Sequence, residues 1–250
     1  MNTDESYFGL LIIGDEILSG RRKDKHLDKA IEILTHHDLQ LSWARYVGDD
    51  ETILTQHFRE IHQLGHHCFS FGGIGATVDD RTRQAVARAL KRDIHRHPEA
   101  STEIEAQFGK QAYPHRILMA DLPDGSDIIP NPYNRIPGFT IENIHCLPGF
   151  PEMAWPMMEW VLENKYQHLE KIKIVQYSII LKGSHESDLI ELLEQFQHQH
   201  PHVKISSLPH MQREGIREIE LGIQGAEPDA TTAKKCITQT LLSRGLIHSA

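Results

Sequence analysis

The opening stretch of the chain alternates short apolar runs with segments of helical period, and this alternation limits the folds open to it. Tyr7 to Ile13 is nearly continuous in apolar residues and stops at Gly14-Asp15, as a parallel strand buried on both faces does. Leu27, Ala30, Ile31 and Leu34 then recur at helical spacing, and Leu39 to Val47 supplies a second strand. A helix over Glu51 to Leu64 follows, carried by Ile53, Leu54, Phe58, Ile61 and Leu64. Cys68 to Phe71 is the third strand and Asp79 to Arg92 the next helix. Strands and helices in this order predict an α/β fold, a doubly wound and mostly parallel sheet that binds ligands at the carboxyl ends of its strands.

Beyond residue 95 the pattern loosens. Ile104 to Phe108 is helical, Ile128 to Pro132 and Phe139 to Leu147 are extended, and Pro151 to Asn164 is a helix with proline in its first turn. After Glu163-Asn164-Lys165 the order becomes strand Ile172 to Leu181, helix Glu186 to Gln199, strand Val203 to Leu208, strand Ile216 to Ile223 and helix Asp229 to Ser243. The expectation is a first domain over 1–167 and a small α+β domain of βαββα order over 168–250.

Composition narrows the function classes. A net charge of −9 disfavours a general nucleic-acid surface, which needs clustered Lys and Arg. The chain has no apolar run near the ~20 residues of a membrane span, and its polar start, Met1 to Ser6, is unlike a signal peptide, so no membrane partner and a cytoplasmic address are expected. Cys68, Cys146 and Cys236 form no CxxC pair and read as small hydrophobes. Among the 18 histidines, His198, His200 and His202 cluster at a helix end without ligand-spaced Cys or carboxylates, which favours a solvated terminus over a metal site. Gly183-Ser184-His185-Glu186-Ser187 starts a helix in the second domain, with Ser184 or Ser187 as cap.

The strongest chemical signal is Gly72-Gly73-Ile74-Gly75-Ala76-Thr77-Val78-Asp79-Asp80. Glycines let backbone amides approach a ligand, and the helix that follows brings its positive end to the same corner, which suits a phosphate. No Lys-Ser or Lys-Thr follows, and the third glycine of a dinucleotide fingerprint is missing. The bland alternative is a tight turn in which Thr77 caps the helix and Asp80 completes a variant capping box. Asp15 and Glu16, Asp49 and Asp50, and Asp79 and Asp80 are expected on the same rim. At ~5 Å and an effective dielectric near 20 each carboxylate repels a phosphate by roughly 3 kcal/mol, against ~1 kcal/mol returned by a helix terminus. A divalent cation, magnesium, manganese or cobalt, resolves that conflict. Asp49 or Asp50 also suits an N-cap before Glu51. Arg21-Arg22-Lys23 offers basic groups, and Pro148-Gly149 a second anion-facing edge.

Ile13-Gly14-Asp15-Glu16-Ile17-Leu18-Ser19-Gly20, Val47-Gly48-Asp49-Asp50, Gly72 to Asp80 with Thr82 and Ala85-Val86-Ala87, Pro130-Asn131-Pro132 and Leu147-Pro148-Gly149 occur in that order. Together they resemble the CinA-like (competence/damage-inducible protein A) family, whose first domain is similar to the molybdopterin-binding domain of MogA, MoaB and MoeA. The resemblance implies that Gly72, Gly73, Gly75 and Asp80 face the phosphate of molybdopterin or a nucleotide, with Thr77, Ser19, Gly20, Pro148 and Gly149 as further phosphate-side positions. It also implies catalytic roles for Asp80 and Asp49 or Asp50, and metal contacts from Asp80, Asp49, Asp15 and Glu16.

The activity so implied is metal-dependent hydrolysis of a nucleotide pyrophosphate such as ADP-ribose. The alternatives are molybdopterin or nucleotide binding without turnover, and molybdopterin adenylylation. A homo-oligomer is expected by analogy. Ala76 stands where these loops usually carry Pro, Lys25-His26 where Thr-Asn is usual, and Phe150 where a second Pro is usual. The chain's length leaves no space for the amidase domain of longer CinA proteins, so nicotinamide mononucleotide deamidation is not expected.

Overall fold

The structure, a computed structural model, describes residues 7–169, 173–183, 185–211 and 217–247. Its contacts divide the chain into two units, Met1–Leu169 and Glu170–Ala250.

The first unit is built on a six-stranded sheet. β1 (Phe8–Ile13) lies between β2 (Leu41–Val47) and β3 (His67–Phe71), and the order continues through β8 (Ile144–Leu147), β7 (Gly138–Ile141) and β6 (Asp127–Ile129). β2, β1, β3 and β8 are parallel, whereas at the edge β7 is antiparallel to both β8 and β6. β4 (Ile94–Arg96) and β5 (Asp121–Pro123) form a separate antiparallel pair. The uniform apolarity of β1 follows from its place, because helices cover both faces. Phe8, Leu10 and Ile12 pack with Ala30, Ile33 and Leu34 of α2 (His26–His36) and Met157, Met158 and Val161 of α6 (Pro151–Lys165). Leu11 and Ile13 face Leu54, Phe58 and Ile61 of α3 (Glu51–Leu64), Ala85, Val86 and Ala89 of α4 (Thr82–Leu90) and Ile104 of α5 (Pro98–Phe108). Gly9 is required between β1 and β2, since a Cβ there would lie 1.9 Å from the Trp43 ring.

Three expectations change in this unit. Phe139 to Leu147 is two strands, because Glu142 at φ 51 turns the chain and sends β8 back beside β3. Asp79 to Arg81 is not helical: α4 starts at Thr82, since the Asp80 carboxylate bonds backwards into the loop instead of capping forwards. That also removes Thr77 as a helix cap.

In the second unit, β9 (Ile174–Lys182), α7 (Ile190–Gln199), β10 (Val203–Met211), β11 (Arg217–Ala226) and α8 (Glu227–Ser243) follow the βαββα order. β11 is central and antiparallel to both neighbours. Leu181, Ile219, Leu221 and Ile223 pack with Leu192 and Phe196 of α7 and Ile237 and Leu241 of α8. A 3-10 turn, Glu186–Asp188, precedes α7, so the helix begins later than the spacing predicts. His198 lies in the last turn of α7 and His200 is its C-cap. Ile172, Ser184, Ile216 and the start at Met1 to Ser6 lie outside the described residues.

Candidate functional site

β1 connects to a neighbour on one side and β3 lies on its other side, so the sheet's connections change direction between these two strands. An open α/β sheet leaves its ligand crevice at such a point. The crevice here is flanked by the loops after Ile13 and after Phe71, and it opens into a cleft of about 440 Å³. That volume lies within the range of small-molecule clefts. Ile13, Ile74, Met119, Ile136, Phe150 and Met153 supply apolar wall, while Glu16, Arg22, Asp49, Asp79 and Asp80 are its charged groups.

The glycines are fixed by their neighbours. Gly72 has φ 108, and a Cβ on it would lie 2.6 Å from the Ile13 carbonyl oxygen. Gly73 has φ 68, and a Cβ there would meet Thr82 Oγ1 at 2.4 Å. Thr82 is buried, donates through Oγ1 to Gly72 O at 2.9 Å and through N to Gly73 O at 3.0 Å, and so binds the double glycine to the start of α4.

Asp80 closes the rest of the loop. Its Oδ1 accepts the Gly75 amide and its Oδ2 the Thr77 amide, each at 2.8 Å. Thr77 Oγ1 lies 2.6 Å from Asp80 Oδ2 and 2.5 Å from Asp79 Oδ1, with one proton to share between them. That hydroxyl draws the Asp79 carboxyl below its ordinary range. The other side of Gly75 is held by Arg83, whose Nη2 donates to Gly75 O at 2.5 Å and whose Nη1 donates to Leu118 O. Burial pushes the Arg83 guanidinium below its usual value, opposed by the charges of Asp121 and Asp80. Arg83 was not expected at the site, since an arginine in a helix's first turn has no sequence signature that separates it from a surface residue.

Asp15 and Asp49 join the first two loops reciprocally: Asp15 N donates to Asp49 Oδ2 at 2.9 Å, and Asp49 N to Asp15 Oδ1 at 3.3 Å. A Cβ on Gly48 would lie 2.4 Å from Asp15 Oδ1, so this grip needs that glycine. Burial raises the pKa of Asp49; the Asp15 amide opposes the rise, while the charges of Asp15, Glu16 and Asp79 reinforce it. Arg22 is 3.9 Å from Glu16 and lies over the Phe150 ring at 5.4 Å.

The fourth wall comes from the segment after β8. Pro148 and Gly149 line the cleft, and a Cβ on Gly149 would sit at ordinary contact distance from Gly72 Cα. His26, stacked on Phe71 with centroids 4.4 Å apart, donates from Nε2 to Gly149 O at 3.3 Å. His26 therefore joins α2 to this wall, a role its place as a replacement for Asn did not announce.

Of the expected site residues, the cleft gathers Gly72, Gly73, Gly75, Thr77, Asp80, Asp49, Glu16, Pro148 and Gly149. Asp50 stands apart: its Oδ1 accepts the amides of Thr52 and Ile53, so it is the N-cap of α3. Ser19 and Gly20 end the short helix α1 (Asp15–Leu18), exposed and away from the cleft wall, and Asp15 reaches the site only through Asp49. Among the described residues no group of three or more His, Cys, Asp or Glu side chains is arranged to hold a metal ion. Asp80 gives both oxygens to the loop and Asp49 gives one to Asp15, so these carboxylates fit a cation only if ligand phosphate oxygens and water complete its shell. Among those residues, too, no helix is long and apolar enough to cross a membrane.

The chain is similar to known proteins over both units. A CinA-like protein of Desulfosudis oleivorans is 28% identical over 239 residues, 90% of this chain and 56% of that protein. The chain thus spans little more than half the length of that relative. A protein of Pyrobaculum arsenaticum is 25% identical over 248 residues, 93% of this chain and 92% of its own. The crystal structure of the protein CinA with unknown function from Thermoplasma acidophilum superposes with a TM-score of 0.59 at 26% identity, covering 64% of this chain and 98% of that one. Residues 9–168 match the family described as a probable molybdopterin binding domain, the stretch that holds the sheet and every wall of the cleft, and the chain belongs to that family.

Proposed function

We propose that the cleft binds a small phosphorylated heteroaromatic ligand, a pterin phosphate or a nucleotide, with its phosphate against the Gly72 to Gly75 corner. The observation that carries this reading is the double glycine, forced into positive φ and opening at the sheet's switch point into a cleft of about 440 Å³. Because Asp80 already holds the Gly75 and Thr77 amides, the phosphate falls to the backbone of Gly73 and Ile74 at the cleft wall. The ring system suits the Met119, Ile136 and Met153 wall. Beside it the Asn134 Nδ2 amide has Met153 Sδ at 3.5 Å, a weak acceptor that a ring carbonyl can replace.

Metal-dependent hydrolysis of a nucleotide pyrophosphate of the ADP-ribose kind is the second reading. It is favoured by the cleft's own charges, since Glu16, Asp49, Asp79 and Asp80 line it against a single arginine, Arg22, and a cation would relieve them. Asp49 and Asp80 are the residues to hold magnesium, manganese or cobalt jointly with the ligand's phosphate, with Glu16 and Asp15 behind them. When bound, the ion polarises the phosphoryl group and acidifies a water. The protein's own part is to fix the phosphate at the glycine corner and keep the ring out of water.

Calorimetric titration with AMP, ADP-ribose and a pterin phosphate, with and without magnesium, tests binding, and AMP release from ADP-ribose tests turnover. Saturable binding that Gly73→Val abolishes is the expected result. Absence of binding for all three ligands would remove the first reading, and binding without AMP release under any of the three metals would remove the second.

A further inference from the structure

A second hollow, of about 330 Å³, lies beside the cleft and shares Arg22 with it. It is lined by Arg21, Arg22, Lys23 and Lys25, with His26 and with Asp24 and Glu152 as its carboxylates. Four cations against two carboxylates is the reverse of the chain's net −9. One of the acids is committed locally. Asp24, just before α2, accepts the amides of its first two residues, His26 and Leu27, at 2.8 and 3.1 Å, and it takes the Tyr46 hydroxyl at 2.8 Å. Among the described residues only Arg22 of the four cations has a carboxylate within 4 Å, Glu16. Arg21 directs its Nε to Ser19 Oγ at 3.2 Å.

Two further features suit the hollow to a phosphorylated ligand that also carries hydroxyls. His26 is 6% exposed and its Nδ1 is buried with no partner. Because Nε2 must carry the proton it gives to Gly149 O, Nδ1 is an acceptor, able to take the hydrogen of a ligand hydroxyl such as that of a sugar. α6 also begins here, at Pro151, with no side chain capping its first turn.

We infer that the Arg21 to Lys25 hollow is a second anion subsite, so that the preferred ligand carries another phosphate beyond the one at the glycine corner. The inference rests on the reading of the cleft as a phosphate site. Arg22, on the shared wall, bridges the two positions. A ligand with a single phosphate fills the cleft alone, whereas one with two reaches both subsites and gains ion contacts that water otherwise occupies.

The test compares ligands that differ by one phosphate, AMP with ADP and NAD with NADP, on the whole chain by calorimetry. The parent chain should favour the more phosphorylated member of at least one pair by about tenfold, the sum of three part-exposed ion contacts. In Arg21→Ala/Lys23→Ala/Lys25→Ala the ratio should fall to about one, and Arg21→Lys/Lys23→Arg/Lys25→Arg, which keeps the charges, should restore it. Raising the salt from about 0.05 to about 0.5 M should shrink the ratio as well. A ratio near one in both pairs for the parent chain, or one that survives the alanine variant, overturns the subsite while leaving the cleft reading intact. If neither these four ligands nor a pterin phosphate binds, the cleft reading fails and the subsite with it.

Discussion

The two ends of the central sheet treat polar groups in opposite ways. At the amino end of β3 and β8 a chain of neutral groups, buried except for the half-buried His67, is fully paired. Thr140 Oγ1 donates to His145 Nδ1 at 2.9 Å, His145 Nε2 to the Tyr166 hydroxyl at 2.6 Å, and that hydroxyl to His67 Nδ1 at 2.8 Å. One direction of donation satisfies every hydrogen, and Phe8 packs against both His67 and Tyr166. At the carboxyl end, Glu16, Asp49, Asp79 and Asp80 share a cleft with one arginine. The first end is complete in itself, while the second keeps charge that its own groups do not balance. Polarity inside a fold is tolerated when paired, and polarity left unmatched at a crevice marks where an outside partner belongs.

The difference can be broken most severely at Gly72. Gly72→Val forces a side chain onto the Ile13 carbonyl and into positive φ, and should cost about 3 kcal/mol or more in urea unfolding together with all ligand binding. An equal loss from Gly20→Val, which has open space around it although its φ is also positive, would show that strain alone and not crowding decides.

Acid should act on the opposite end next. Burial holds the pKa of His145 down at about 3, so between its ordinary 6.5 and that value the unfolded chain binds a proton that the folded chain refuses. Stability should therefore fall as pH is lowered through that window, by about 1.6 kcal/mol between about pH 6.5 and about pH 5 from this group alone. His67 and His26, also lowered by burial, add in the same direction. Unfolding curves at about pH 7, 6 and 5 measure it, and His145→Gln should flatten the slope; a slope that persists unaltered would place the proton elsewhere.

At the site, Asp80→Asn leaves one acceptor oxygen for the two amides of Gly75 and Thr77 and should lower stability by about 1 to 2 kcal/mol. AMP affinity should fall with it, and an unchanged affinity would separate the loop's shape from its binding. The smallest effect belongs to Asp50→Ala, about 1 kcal/mol from the lost cap of α3, with ligand affinity unaltered. A fall in affinity there would return Asp50 to the site.

The strands, their glycine ends and the α/β class were legible because period and punctuation are local. Ile13-Gly14, Val47-Gly48 and Phe71-Gly72 end strands whose next loops bring Glu16, Asp49 and Gly73 to one crevice, and the small unit's βαββα order was equally open to reading. What was hidden depended on direction. Asp80 has the spacing of a capping residue, yet it bonds backwards, and only the folded loop distinguishes the two. Asp49 and Asp50 are adjacent and alike, but one faces the cleft and the other its helix. Arg83 and His26 act through contacts with Gly75 and Gly149, residues 8 and 123 positions away, and no period reports such a partner.

The backward bond of Asp80 bears on the speed of capture. A loop whose amides were unattached would have to be ordered by each arriving ligand, and association would show a slow, saturating phase. Here the carboxylate keeps the corner assembled between encounters, so mixing should give a single phase, linear in ligand concentration, with an association rate of about 10⁵ to 10⁷ M⁻¹s⁻¹. In this loop an acidic side chain spends its charge on readiness.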